Sequence, residues 1–100
     1  MYARVIFGEV RPENENVVVQ LYRDWVAPTA KQQKGFKGII QLADPRTGKT
    51  LSITLWETEA DMKAGETSDY YKQQLAKLAP FDATQPARVD YKVNVLELQP

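Results

Sequence analysis

The segment Asp44-Pro45-Arg46-Thr47-Gly48-Lys49 constrains the fold more than any other stretch of this sequence. Pro45 pre-sets the backbone for a turn, and Gly48 stands where a positive φ carries no steric penalty. Phe36 to Ala43 before it and Leu51 to Trp56 after it read as strands, so the tight connection makes them an antiparallel hairpin. In the second strand Leu51, Ile53 and Leu55 alternate with Ser52, Thr54 and Trp56. This period of two separates an aliphatic face from a small-polar face that closes on an indole.

The flanking segments carry equally directional patterns. Tyr2 to Val10 is rich in β-branched and aromatic residues on both parities, with Ala3, Val5 and Phe7 on one and Tyr2, Ile6 and Val10 on the other. Arg11-Pro12 ends that strand, and proline suits the first turn of a helix because its missing N–H would have no helical partner there. Val17, Val18, Leu21, Tyr22, Trp25, Val26 and Thr29 then recur at helical spacing, opposite a polar face of Glu15, Gln20, Arg23 and Asp24. Pro28 interrupts this pattern at a cost of about 3 kcal/mol in a regular helix, which predicts a kink near Asp24 or an early end. Gly35 stops the helix.

After the hairpin, Thr58-Glu59-Ala60-Asp61 has the form of a capping box with Asp in the final place, and Gly65 is expected to break the helix it opens. Thr67 or Ser68 can cap a continuation whose inward stripe is Tyr71, Leu75 and Leu78, flanked by Tyr70 and Gln74, up to Pro80. Phe81 to Pro86 reads as a loop. Val89, Tyr91, Val93 and Val95 then alternate with Arg88, Asp90, Lys92 and Asn94 as a last strand with one polar face.

The order is thus β-α-β-β-α-β, a split βαβ or ferredoxin-like α+β arrangement with a four-stranded antiparallel sheet. Right-handed crossovers place both helical segments on one face of the sheet and leave the other bare. Large apolar side chains occupy both parities of the first two strands, so the bare face predicts a homodimer that meets through its sheet faces. The 100 residues amount to one domain spanning 1–100, with roughly 65% of the unfolded surface buried on folding.

Composition narrows the chemistry. With no His and no Cys the chain has no Ser-His-Asp or Cys-His nucleophile, no His or Cys haem ligand, no zinc site of the usual ligands and no disulfide. Carboxylates, Lys, Arg, Tyr, Trp and backbone groups remain, so no metal and no cofactor is expected. Thirteen basic and 13 acidic side chains cancel, which removes the electrostatic reason to hold a nucleic acid or an anionic membrane. No stretch reaches the roughly 20 apolar residues of a membrane span, and Met1 to Val10 lacks the pattern of a secretory leader, so a cytoplasmic protein is expected.

Four aromatic residues are candidates for a ligand pocket. Trp56 closes the polar face of its strand and could stack a flat ligand; Tyr22 and Trp25 lie on the inward stripe of the first helix. Tyr70 and Tyr71 are adjacent and so diverge by about 100°, with Tyr71 expected inward and able to donate a proton. Each of these is equally a residue type that packs a core. Arg4, Arg88, Asp90 and Lys92 are expected in outer parts of the sheet as cross-strand ion pairs. Glu57, Glu59 and Asp61 are accounted for by the helix start they surround.

The residues Gly35-Phe36-Lys37-Gly38-Ile39-Ile40, the hairpin turn, and Ser52-Ile53-Thr54-Leu55-Trp56-Glu57-Thr58-Glu59-Ala60-Asp61 together resemble the antibiotic biosynthesis monooxygenase family. The resemblance covers nearly the whole chain and is strongest from Gly35 to Asp61. It implies a dimeric α+β barrel and a choice among cofactor-independent oxygenases of quinols and polyketide anthrones, haem-degrading enzymes and proteins without established activity. The haem-degrading relatives hold iron through a His on the second helix and carry an Asn on the first strand. This chain has no His, and its first strand, Tyr2-Ala3-Arg4-Val5-Ile6-Phe7-Gly8, has no Asn. What the resemblance then implies is a cofactor-independent monooxygenase of a small phenol or quinol, with Trp56 alone on a family motif position, or a non-catalytic small-molecule-binding or structural homodimer.

Overall fold

Gly48 closes the hairpin with φ of 78°, and its N–H donates to the Asp44 carbonyl at 2.9 Å while the Asp44 N–H donates to Lys49 at 2.8 Å. The computed structural model describes residues 1–100. Its strands are β1 (Tyr2–Glu9), β2 (Phe36–Ala43), β3 (Lys49–Trp56) and β4 (Ala87–Lys92), all antiparallel neighbours in the order β2-β3-β1-β4. This is the ferredoxin-like sheet that the element order predicts. The last strand is shorter than its alternation suggests. β4 has only β1 as a neighbour, and Lys92 pairs with Tyr2 at the end of β1, so the tail beyond it has no ladder to join except the Val93 N–H to Met1 carbonyl bond at 2.9 Å.

Register places the side chains of four strands in rows. Ile40, Ile53, Val5 and Val89 form one row; Leu42, Leu51, Phe7 and Ala87 form another on the same face. The alternate rows are Ile39, Thr54, Arg4 and Asp90, then Gln41, Ser52, Ile6 and Arg88. The helices cover these second, more polar rows, and the aliphatic rows line the open face. An amphipathic sheet that buries one face against helices commonly does the reverse.

The first crossover is a helical rod in three parts: α1 (Glu15–Leu21), a π-helical turn Tyr22–Val26, and α2 (Ala27–Ala30), preceded by a 3-10 turn at Pro12–Asn14. The predicted irregularity at Asp24 is this π turn. Pro28 offers no N–H to the carbonyl four residues before it, and the widened turn, with the Ala27 N–H reaching back to Tyr22, accommodates it.

The second crossover is α3 (Glu59–Glu66) and α4 (Asp69–Leu78), with the Thr58 hydroxyl accepting the Asp61 N–H at 3.0 Å as the capping box requires. Gly65, expected to break the helix, instead lies within it and fully against the sheet. A Cβ there would stand 3.0 Å from the Trp56 ring and 3.4 Å from the Arg4 guanidinium, so glycine lets α3 rest directly on both. The break comes at Thr67-Ser68, where the Ser68 hydroxyl donates to the Gly65 carbonyl at 2.6 Å.

Apolar packing falls into two groups. Ala30, Trp56, Met62, Tyr70 and Tyr71 form one beneath α3 and the start of α4, and Val10, Val18 and Leu78 form the other. Two expectations change here. Tyr70 and Tyr71 both turn inward, because the start of α4 lies against α3 as well as the sheet and Tyr70 receives an Arg4 hydrogen bond at 3.5 Å. Arg4 is not peripheral but 1% exposed, since β1 is a central strand and its row faces the helices. No helix is long and apolar enough to cross a membrane.

Candidate functional site

A two-chambered cavity lies between the helix-covered face of the sheet and α4. The inner chamber, about 30 Å³, takes its floor from Ile6, Thr50 and Ser52 and its walls from Tyr22, Gln74 and Asp82. The outer chamber, about 570 Å³, is bounded by Tyr71 and Leu75 of α4, by Arg88 of β4 and by the loop Asp82 to Pro86. Ile6, Leu75, Asp82 and Pro86 line both, so the chambers adjoin. The outer volume falls in the range of sites that hold small organic ligands.

Each polar group arrives by a traceable local cause. Ser52 belongs to the polar parity of β3, which register aligns with Ile6 and Gln41. Tyr22 opens the π turn. Gln74 stands one turn beyond Tyr70 and Tyr71 on the buried side of α4. Asp82 is carried in by a loop pinned to the end of β1, through the Val10–Asp82 bridge and the Ala83 N–H to Glu9 carbonyl bond at 2.7 Å.

One of these groups is buried without a partner, and a second is equally buried. Ser52 is 5% exposed and its hydroxyl makes no hydrogen bond within 3.5 Å, with the Tyr22 phenol the polar group that faces it; Gln74 is only 2% exposed. Buried polar groups in native proteins are nearly always satisfied. Burial pushes the Tyr22 phenol above its ordinary pKa, the Ser52 hydroxyl opposes that rise, and the charges of Asp82 and Tyr71 add to it. Burial also raises the Asp82 carboxyl. Asp82 is the one carboxylate that lines either chamber. No group of three or more Asp and Glu side chains converges anywhere in a way that could hold a metal ion.

Of the four aromatic residues singled out by sequence, the cavity brings together Tyr22 and Tyr71 and leaves out the two tryptophans. Trp56 is fully buried, its indole N–H donates to the Thr54 hydroxyl at 2.9 Å, and its ring meets Phe36 edge-on at 5.7 Å. Trp25 is half-buried with the Lys77 ammonium 5.1 Å from its ring. Ser52, Gln74 and Asp82 were not singled out. Their signals were faint: a serine on the polar parity of an inward strand, a glutamine in an apolar stripe and an acid inside a proline-bounded loop.

Around the site runs an ion network. Arg88 pairs with Glu66 at 3.2 Å, and Arg4 approaches the other Glu66 oxygen at 3.8 Å. Burial works to lower the Arg88 pKa, but the Tyr71 hydroxyl with the Glu66 and Asp90 carboxylates raises it overall.

Among solved structures, the fold is similar to a monooxygenase of Streptomyces coelicolor in complex with the ligand nanaomycin D, at TM-score 0.79 and 18% identity over 99% of this chain and 92% of that one. An antibiotic biosynthesis monooxygenase superposes at TM-score 0.73 with 17% identity over 93% of this chain and 98% of the other. A Nitrosomonas europaea protein of unknown function does so at TM-score 0.78 with 15% identity over 99% and 94%. At such identities the likeness concerns the fold. No curated protein matches the sequence. The sequence model of one family does match, along residues 1–77, which include β1 to β3, α1 to α3, all but the last residue of α4 and every cavity residue up to Leu75; the chain belongs to the antibiotic biosynthesis monooxygenase family.

Proposed function

We propose that this protein is a cofactor-independent monooxygenase of a small aromatic phenol or quinol, working as a homodimer. The observation that carries the reading is the cavity: an outer chamber walled by Ile6, Tyr71, Leu75 and Pro86 beside an inner one of buried hydroxyl and carboxamide groups. Family membership and a fold shared with a monooxygenase solved with nanaomycin D bound support it.

The substrate's own electrons drive the reaction. A phenol O–H gives its proton to a base, the electron-rich anion transfers an electron to O2, and the resulting pair combine at a ring carbon as a peroxide. Loss of the ring C–H proton with cleavage of the O–O bond leaves one oxygen as a new ring carbonyl and releases the other as water. Phenol plus O2 thus becomes quinone plus water. The protein's part is to orient the ring, exclude bulk water and hold the anion. Asp82 is the cavity carboxylate able to accept the proton.

Oxygen uptake in metal-free buffer tests this, with a panel of naphthols, quinols and anthrones. Uptake that rises in proportion to protein, with the matching quinone formed, is the expected result. A rate equal to the buffer blank for every member, alongside measurable binding, would instead assign the non-catalytic ligand-binding alternative.

The dimer rests on the open face, where Phe7, Ile40, Leu42, Val89 and Tyr91 are each between 40% and 48% exposed. Adjacent apolar rows of this kind exceed what monomers usually leave in water. Light scattering at micromolar concentration is expected to give twice the chain mass, and Ile40→Asp with Val89→Asp to halve it. A wild-type protein of single-chain mass refutes the sheet-to-sheet arrangement.

A further inference from the structure

Three polar side chains meet in a space too small for a ring. The inner chamber's 30 Å³ accommodates about one water-sized group. Ser52, Gln74 and Tyr22 all line it, and the buried Ser52 hydroxyl, which faces the Tyr22 phenol, makes no hydrogen bond within 3.5 Å. A hydroxyl and a carboxamide both donate and both accept, so together they fit an oxygen in either its protonated or its anionic form. Next door, the outer chamber has the volume and the apolar wall for one or two fused rings.

We infer that the inner chamber is a subsite for a single oxygen substituent of the ligand, held by Ser52, Gln74 and Tyr22 while the attached ring lies in the outer chamber. Asp82, which lines both chambers, stands at their junction, where the substituent must pass. A phenolic ligand seated this way transfers its proton to the Asp82 carboxylate: the phenol O–H bond breaks, an O–H bond forms on Asp82, and no electron moves. The anion left behind keeps the donors of Ser52, Tyr22 and Gln74. This binding mode deepens the proposed function and rests on it for the choice of an aromatic ring.

The test compares 1-naphthol with 1-methylnaphthalene, which replaces the hydroxyl by a methyl of similar size, by fluorescence titration. Wild-type protein is expected to bind the naphthol at least about tenfold more tightly, because a buried hydroxyl left unsatisfied, here that of Ser52, disfavours an analogue that cannot hydrogen-bond to it. Ser52→Ala and Gln74→Leu are each expected to weaken 1-naphthol by about tenfold and to leave 1-methylnaphthalene within about twofold. Equal affinity of the two probes for wild-type protein overturns the subsite, as does failure to bind either, or a parallel loss of both in the variants. The wild-type comparison stands even if a variant does not fold. Oxygen consumption plays no part in it, so a protein that discriminates the probes without consuming oxygen retains the subsite and loses the monooxygenase reading.

Discussion

Trp56→Ala is expected to lower the free energy of unfolding by about 3–5 kcal/mol, a large share of the roughly 5–15 kcal/mol that holds a domain of this size together. Trp56 is fully buried, and its ring packs against Phe36 edge-on at 5.7 Å, the Arg4 guanidinium at 5.3 Å, and the backbone of α3 at Gly65. Truncation leaves a void that α3 cannot collapse into, because the Thr58 cap and the β1–β3 ladder fix both ends of the segment. The Thr54 hydroxyl also loses its indole donor. Urea unfolding measures the difference as a lower midpoint at unchanged slope. Trp56→Phe, which keeps most of the volume, is expected to fall well short of the alanine effect. A loss under about 1 kcal/mol for Trp56→Ala would show that the region repacks, and with it that the ring is not a structural keystone.

The same tryptophan shows where sequence reasoning reached and where it stopped. Its period-two neighbours made β3 legible, and the turn from Asp44 to Gly48 made the pairing of β2 with β3 legible, so strand order followed from handedness. Alternation says that the two faces of β3 differ; it does not say which face the helices cover. Here they cover Ser52, Thr54 and Trp56, and the choice is made by bulky inward groups on other elements, among them Arg4, Tyr70 and Met62, that no local pattern of β3 encodes. Gly65 shows the same limit, since a glycine tolerated for close approach and a glycine that ends a helix look alike in sequence. That Tyr22 and Tyr71 would face inward was legible because aromatic side chains on an inward helix stripe stand out, and both line the cavity. Ser52 and Gln74 were not, because what distinguishes them is the burial of a polar side chain, and for Ser52 the lack of a partner, properties that exist only once the chain is folded.

Arg4→Ala carries the other large effect, again about 3–5 kcal/mol, and for a different reason. One guanidinium nitrogen donates to the Met62 carbonyl at 2.6 Å and another to the Tyr70 hydroxyl at 3.5 Å, while the plane lies 4.5 Å from the Tyr71 ring. Its Nε stands 3.8 Å from Glu66 Oε1, beyond hydrogen-bond reach, and neither atom has another partner. The cation is therefore buried in an incompletely satisfied network. Removing it alone leaves Glu66 with only Arg88, leaves the Met62 carbonyl unpaired, and opens space between Trp56 and Tyr71. Removing both charges while keeping the volume is a different perturbation: Arg4→Met with Glu66→Leu eliminates the uncompensated groups and retains apolar packing against the two rings. Such replacements of buried ion pairs are often neutral or stabilising. The double variant is thus expected to recover more than half of what Arg4→Ala loses, and Arg4→Lys, whose point charge cannot reach both acceptors, to remain destabilised. If the double variant is as unstable as Arg4→Ala, the charges themselves and not the filled volume hold α3 and α4 on the sheet.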